Sequence, residues 1–279
     1  MSVQVTFLGT ASGLPAADRF GQTIVVSTSK ADDSSPTHLL LDTGDGASSL
    51  LMRHGLKHGH IEAVFISHMH ADHHGGLAQV IKTCMHTHRS HPLTIVAPGE
   101  GIAPLQAYLA ASYLVAPFLG YDIRWISIDE YVGLPCTLTA EAQLTAYAND
   151  HMRGYRRRLS QISGSSAYTF ESYSAALVVG SSRLVYSGNL AGARGHDELA
   201  PFIEPCDLFI TELAHTDPGE LGRFLAHRAI QHTAVAHFHP KWNGVSDEEI
   251  LDRIQQGAGA TDITGKLTLA HDGTTIGRL

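Results

Sequence analysis

The chain has 279 residues, 43% of them hydrophobic and 16% charged. That is enough apolar material for a sizeable core, and it excludes an intrinsically disordered chain. A formal net charge of −8 argues against a general nucleic-acid binder, whose surface would be basic, but leaves room for a local basic groove. Three widely spaced cysteines, Cys84, Cys136 and Cys206, provide neither a disulfide framework nor a cysteine zinc knuckle. The sequence has no basic-then-apolar leader and no run of about 18 apolar residues, so the expectation is a cytoplasmic protein without a membrane segment.

In chain order, Val3 to Leu8 predicts a strand, followed by a glycine-rich turn from Gly9 to Pro15 and a loop to Gly21. Gln22 to Ser29 is rich in β-branched residues and predicts the next strand; residues 30–36 read as a polar hairpin tip. His38 to Leu41 is a strand that ends at Asp42-Thr43-Gly44-Asp45-Gly46, with a helix over Ala47 to His54. Ile61 to Ile66 is a short apolar strand. It runs into Ser67-His68-Met69-His70-Ala71-Asp72-His73-His74-Gly75-Gly76, and a helix starts at Leu77.

This histidine run is the centre of the chain's chemistry. Ligands in α/β proteins bind beyond the carboxyl ends of strands, and imidazole with carboxylate is the donor set of zinc, iron or manganese. His68 and His70 are two apart, so both can face one ion while Asp72 and His73 face another. A second cluster, His86, His88 and His91, lacks a carboxylate or strand end to frame it and reads as an exposed turn.

Further on, Pro92 to Ala97 predicts a buried strand and Pro104 to Phe118 an amphipathic helix, whose Tyr108, Tyr113 and Phe118 read as core or lid. Tyr121 to Ile128 is a strand, and Leu138 to Ala148 holds one or two more before Asn149-Asp150-His151. Tyr173 to Val179 and Arg183 to Tyr186 are strands, the second ending at Ser187-Gly188-Asn189. Leu208 to Thr211 ends at Glu212, with His215 beyond; Thr233 to Ala236 ends at His237. Asp247 to Gln256 is a helix, and Leu267 to Ala270 with Thr274 to Gly277 reads as a hairpin around Asp272-Gly273. Leu39–Gly44 and Leu184–Asn189 echo each other as strand-then-loop. No hinge or charge run separates the halves, which suggests one domain, residues 1–279, of two packed sheets flanked by helices.

The run His68-Met69-His70-Ala71-Asp72-His73-His74 resembles the signature of the metallo-β-lactamase superfamily, and most closely its ribonuclease Z-like branch. Phe7-Leu8-Gly9-Thr10 and Leu39-Leu40-Leu41-Asp42-Thr43-Gly44 resemble the start of the same proteins. The resemblance covers roughly Val3 to His239. It implies an α/β (α+β) four-layer αββα sandwich with the metal site at one edge of the two sheets. It also implies one or two zinc ions, manganese or iron being alternatives, with His68, His70 and His151 forming one site and Asp72, His73 and His237 the other. Asp42 would hold the histidine loop from behind, a role compatible with capping a helix. The family's bridging carboxylate stands in a Tyr-Ser-Gly-Asp context; here Tyr186-Ser187-Gly188 is followed by Asn189, whose uncharged amide offsets the repulsion of two dications poorly.

The chemistry implied is hydrolysis by a metal-activated water, whose pKa falls toward about 7 on binding. Asp72 would orient or deprotonate the water. The family's leaving-group histidine lies 22 residues before its last ligand, which is His215 here, three residues after Glu212; that pairing would fix the ring's tautomer. Arg153, Arg156, Arg157 and Arg158 follow His151 and suit phosphate contact. The leading expectation is a phosphodiesterase, with RNA or a small or cyclic phosphodiester as substrate. The alternatives are a hydrolase of carboxylic or sulfate esters, lactones or β-lactams on the same scaffold, and a weakly active or non-catalytic ligand binder with Asn189 in a degraded site. Dimerisation is implied by analogy alone.

Overall fold

A computed structural model describes residues 1–14, 16–29, 36–163, 168–191, 194–277 and 279; most of the hairpin tip expected over 30–36 lies outside the described residues. In chain order the elements are β1 (Ser2–Gly9), β2 (Thr23–Ser29), β3 (Thr37–Thr43), α1 (Ala47–Arg53), β4 (Ile61–Phe65), α2 (Ala71–His74), α3 (Leu77–His86), β5 (Leu93–Ala97), α4 (Gly99–Ala111), α5 (Ala116–Leu119), β6 (Ile123–Ser127), β7 (Pro135–Thr137), β8 (Ala142–Ala148), α6 (Arg153–Ser163), β9 (Tyr173–Val179), β10 (Ser182–Tyr186), β11 (Cys206–Leu213), α7 (Pro218–Leu225), β12 (Ile230–Phe238), α8 (Asp247–Ala258), β13 (Leu267–Leu269) and β14 (Thr275–Gly277).

Among the described residues two seven-stranded sheets result, ordered β14-β1-β2-β3-β4-β5-β6 and β13-β12-β11-β10-β9-β8-β7. Each changes character at one strand. β3 pairs antiparallel with β2 and parallel with β4; β10 pairs antiparallel with β9 and parallel with β11. These are the two strands that carry the echoed sequences.

Strand alternation divides the apolar residues between layers. Leu39, Leu41, Phe65, Leu184, Tyr186, Leu208 and Ile210 face the core between the sheets. Leu40 and Val64 face outward beneath α1, α3 and α4, and Val185 and Phe209 face outward beneath α7 and α8. Both faces of both sheets are therefore covered, which is why these strands read as continuous apolar runs. This is the four-layer αββα sandwich.

Several local expectations are corrected. β13 and β14 are not a hairpin: β13 joins β12 and β14 joins β1, in different sheets. The Asp272-Gly273 turn forms, but Asp272 accepts from Thr10 Oγ1 at 2.7 Å and Phe20 N at 2.7 Å, and this tie to the amino-terminal loop spans the junction of the sheets. The helix expected from Pro104 starts at Gly99 and ends at Ala111, with Pro104 inside it. Tyr108, Tyr113 and Phe118 are exposed and contribute nothing to the core. The arginines after His151 lie on a helix, α6.

α7 and α8 touch at glycine. A Cβ on Gly222 would lie 1.8 Å from the Ile254 carbonyl oxygen, and one on Gly257 2.1 Å from that of Gly219. Backbone cannot retreat as a side-chain tip can, so Gly222→Ala is expected to push the helices apart and cost about 1–3 kcal/mol. Urea denaturation of this variant beside the parent checks it; an unchanged midpoint would refute the close approach.

Candidate metal centre

The loops at the carboxyl ends of β4, β8, β10, β11 and β12 meet at one edge of the sandwich, where backbone hydrogen bonds join the sheets. Tyr173 N donates to Ser67 O at 3.1 Å, Phe238 N to Thr10 O at 2.9 Å and Ser12 N to Phe238 O at 3.2 Å. Asn149 Nδ2 donates to Ser174 Oγ at 3.1 Å and Ser187 O at 3.4 Å, which fixes the β8 end that carries His151.

Two groups of donors form there: His68, His70 and His151, and Asp72, His73 and His237, each with one donor atom per residue within 4.8 Å of the others. The groups share a wall. The His68 and His73 ring centroids are 4.1 Å apart, His68 and His151 4.8 Å, and His73 and His237 4.9 Å. Among the described residues, Nε2 of His68 and His70, Nδ1 of His151 and both ring nitrogens of His237 are buried without a hydrogen-bond partner, while His73 Nε2 and Asp72 Oδ2 face each other at 3.2 Å. Buried polar atoms are seldom left unpaired, and so many converging on one place is what a cation site requires. The donor types, three imidazoles and two imidazoles with a carboxylate, fit zinc and its neighbours.

Burial, reinforced by the surrounding imidazoles, holds His68, His151 and His237 below the ordinary histidine value. They are therefore neutral at pH 7, the form that binds metal. His73 differs. Burial opposes its charge, but Asp42 on one side of the ring and Asp72 on the other outweigh it and raise the pKa to about 9. Burial likewise opposes ionisation of Asp72, yet the adjacent His73 and His237 hold its carboxyl well below the usual carboxylate range.

Asp42 supports this wall. It is fully buried, at φ 59°, and its carboxylate accepts from Ser67 N at 2.7 Å, Ser67 Oγ at 2.9 Å and Tyr186 OH at 2.6 Å, with His73 Nδ1 2.7 Å from Oδ2. Ser67 and Tyr186 were not singled out in the sequence as partners of Asp42. The signal for Tyr186 was the echo of the two strand ends, which meet here through the Tyr186–Asp42 bond.

Glu212 is buried at the end of β11. Its carboxylate accepts from Leu190 N at 3.0 Å and His215 N at 2.7 Å, and lies 3.3 Å from His215 Nδ1. The His215 ring is 4.8 Å from His151 and 6.1 Å from His237, centroid to centroid, so it lies against both groups. Asn189 is buried in the loop after β10, between Leu190 and Gly188, whose φ is 57°. His239 accepts from Lys241 N and caps a turn instead of joining either group. Arg153, Arg156, Arg157 and Arg158 are exposed on α6; Arg153 lies 3.6 Å from Asp150. A residue that sequence reading missed, Tyr155, packs its ring 5.3 Å from His70. His86 and His88 are exposed, and His91 pairs with Glu62 at 2.9 Å.

With the fold and these groups, the chain is a ribonuclease Z-like member of the metallo-β-lactamase superfamily. It resembles, with a TM-score of 0.70, the metallo-β-lactamase fold protein YhfI from Bacillus subtilis, 19% identical over 99% of this chain and 100% of that one. Human tRNase Z, short form, aligns with a TM-score of 0.69 and 18% identity over 98% of each chain. Ribonuclease Z of Staphylococcus epidermidis is 35% identical over 130 residues, 46% of this chain and 40% of that protein, so the match spans well under half of that relative. Within the superfamily, residues 3–250 match the family described as Anti-Pycsar protein Apyc1, and the chain belongs to it.

Two outcomes follow. Asp42→Asn removes the charge facing His73 and mismatches three donors, so metal affinity should fall about 10–100-fold, read by titration with Zn2+ and a chromophoric competitor. A metal ion also has to displace the His73 proton. Affinity should therefore rise with pH, about tenfold per unit, until it levels near pH 9; a flat profile between pH 6 and 8 would show that His73 is unprotonated in the metal-free protein.

Proposed function

We propose that the chain is a metal-dependent phosphodiesterase acting on a small or cyclic phosphodiester in preference to structured RNA. The observation that carries this reading is the pair of donor groups with the His215 ring against both. A divalent ion held by His68, His70 and His151, with or without a second held by Asp72, His73 and His237, would supply Lewis acidity and acidify a water. Asp72, kept ionised, orients that water or takes its proton. His215, held by Glu212, gives a proton to the leaving oxygen. Arg153, Arg156 and Arg157 are spaced to share one face of α6 and would receive the phosphate. The net charge of −8 and the short reach of that basic face favour a small substrate over tRNA.

Asn189 supports a centre that holds one ion firmly and a second weakly. A cytoplasmic location and a homodimer belong to the same proposal. No helix among the described residues is long and apolar enough to cross a membrane, and exposed Tyr108, Tyr113 and Phe118 offer apolar surface to a second copy.

The test pairs elemental analysis with turnover of bis(p-nitrophenyl) phosphate, a cyclic mononucleotide and an RNA oligomer. Asn189→Asp should raise metal content toward two per chain. His215→Ala should lower kcat about 10²–10⁴-fold with metal content unchanged. Absence of phosphodiester turnover in both the chain and Asn189→Asp, with metal bound, would refute the phosphodiesterase reading in favour of ester or lactone hydrolysis.

A further inference from the structure

A cavity of about 490 Å3 lies between the helical turn Gly195–Leu199 and α7, and none of its lining residues belongs to either donor group. Its wall carries Arg194, Arg223 and Arg228 with His196, His227 and Phe224, against two carboxylates, Asp197 and Glu220. In a chain with a net charge of −8, a concave surface with more guanidinium than carboxylate is unusual and focuses a positive potential.

The guanidinium groups are only loosely engaged. Arg194 Nη2 is 3.5 Å from Asp150 Oδ2 and 3.9 Å from Glu198 Oε2, Arg228 Nη1 3.5 Å from Glu204 Oε2, and Arg223 Nη2 4.0 Å from Glu220 Oε1. All are longer than a charge-assisted hydrogen bond, about 2.7–2.9 Å, so N–H donors remain open on each. Arg228 is held over the Phe224 ring, 5.0 Å from its centroid, and its Nε is buried without a partner among the described residues. His196, 3% exposed, pairs Nε2 with Thr211 Oγ1 at 3.0 Å and leaves Nδ1 buried and, among the described residues, unpartnered. Three planar forks around one cavity, with unsatisfied nitrogens on two of its residues, match a tetrahedral dianion better than a carboxylate or an apolar ligand.

We infer that this cavity is an anion site separate from the metal centre, and that it takes a phosphate dianion through Arg194, Arg223 and Arg228. The site touches the metal centre's supports at two points. Arg194 faces Asp150, the residue before His151, and His196 bonds Thr211, the residue before Glu212. Phosphate binding does not depend on any turnover, so the site stands or falls apart from the proposed reaction.

Isothermal titration of the full chain with inorganic phosphate tests it. Arg194 and Arg223 are 63% and 64% exposed, so Arg194→Ala and Arg223→Ala leave the fold intact. Each is expected to weaken phosphate binding about tenfold, the loss of one charge-assisted contact, and Arg223→Lys should lose less than Arg223→Ala. Binding should persist in His68→Ala and His237→Ala, which disable the two donor groups. No phosphate binding by the parent chain, binding indifferent to both arginine substitutions, or binding abolished by the His68 and His237 substitutions would each overturn the inference, the last by assigning the phosphate to the metal centre.

Discussion

The carboxylate of Asp42 holds the working edge of this protein together. It sits at the end of β3 in one sheet, takes two hydrogen bonds from the histidine loop, a third from Tyr186 at the end of β10 in the other sheet, and faces the ring of His73. An isolated buried carboxylate would cost several kcal/mol; here three donors and a cationic or donating imidazole offset that cost. The same contacts set the distance between the sheets and the orientation of one donor ring. Its φ of 59° is a conformation that most residues avoid, at a cost of about 1–3 kcal/mol, which this network outweighs.

His237 sits opposite under a similar constraint, with φ 50° at the end of β12. Two non-glycine residues held in the left-handed region, one behind the centre and one within it, indicate that surrounding structure determines their conformation more strongly than their own preferences do. The backbone bonds between Thr10, Ser12 and Phe238 on one side, and Ser67 and Tyr173 on the other, provide that rigidity. A centre built this way is pre-organised: donors are aimed before any ion arrives, and binding need not order the loops.

Asn189 stands where the family resemblance implies a bridging carboxylate. The loop around it is intact, with Gly188 packed so closely that a Cβ would lie 2.6 Å from the Tyr173 carbonyl oxygen, and Leu190 bonded to Glu212. The departure is therefore one of charge and not of architecture. In the proposed centre, the loop that would carry a bridging carboxylate is formed, and the charge such a carboxylate would bring is absent.

The fold class and the residues that converge in the two donor groups were legible in the sequence and its family resemblance. Strand-then-loop segments ending in His, Asp or Glu are local patterns, and His68 to His73 is a run too specific to arise from packing. It also pointed to Asp42, and it placed His215 and Glu212 together, because i, i+3 proximity is a local property. What it left undecided were relations between distant segments. The Asp272-Gly273 turn was legible, but its flanking strands parted into different sheets because the partners of β13 and β14 lie some 30 and 270 residues away, at β12 and β1. The helix α7 and the exposed state of Tyr108, Tyr113 and Phe118 were hidden for the same reason: burial depends on what packs opposite. That Tyr186 reaches Asp42 across 144 residues, and that Arg194, Arg223 and Arg228 enclose one cavity, are facts of tertiary structure, since only the folded chain brings charges from separate loops within reach of one another.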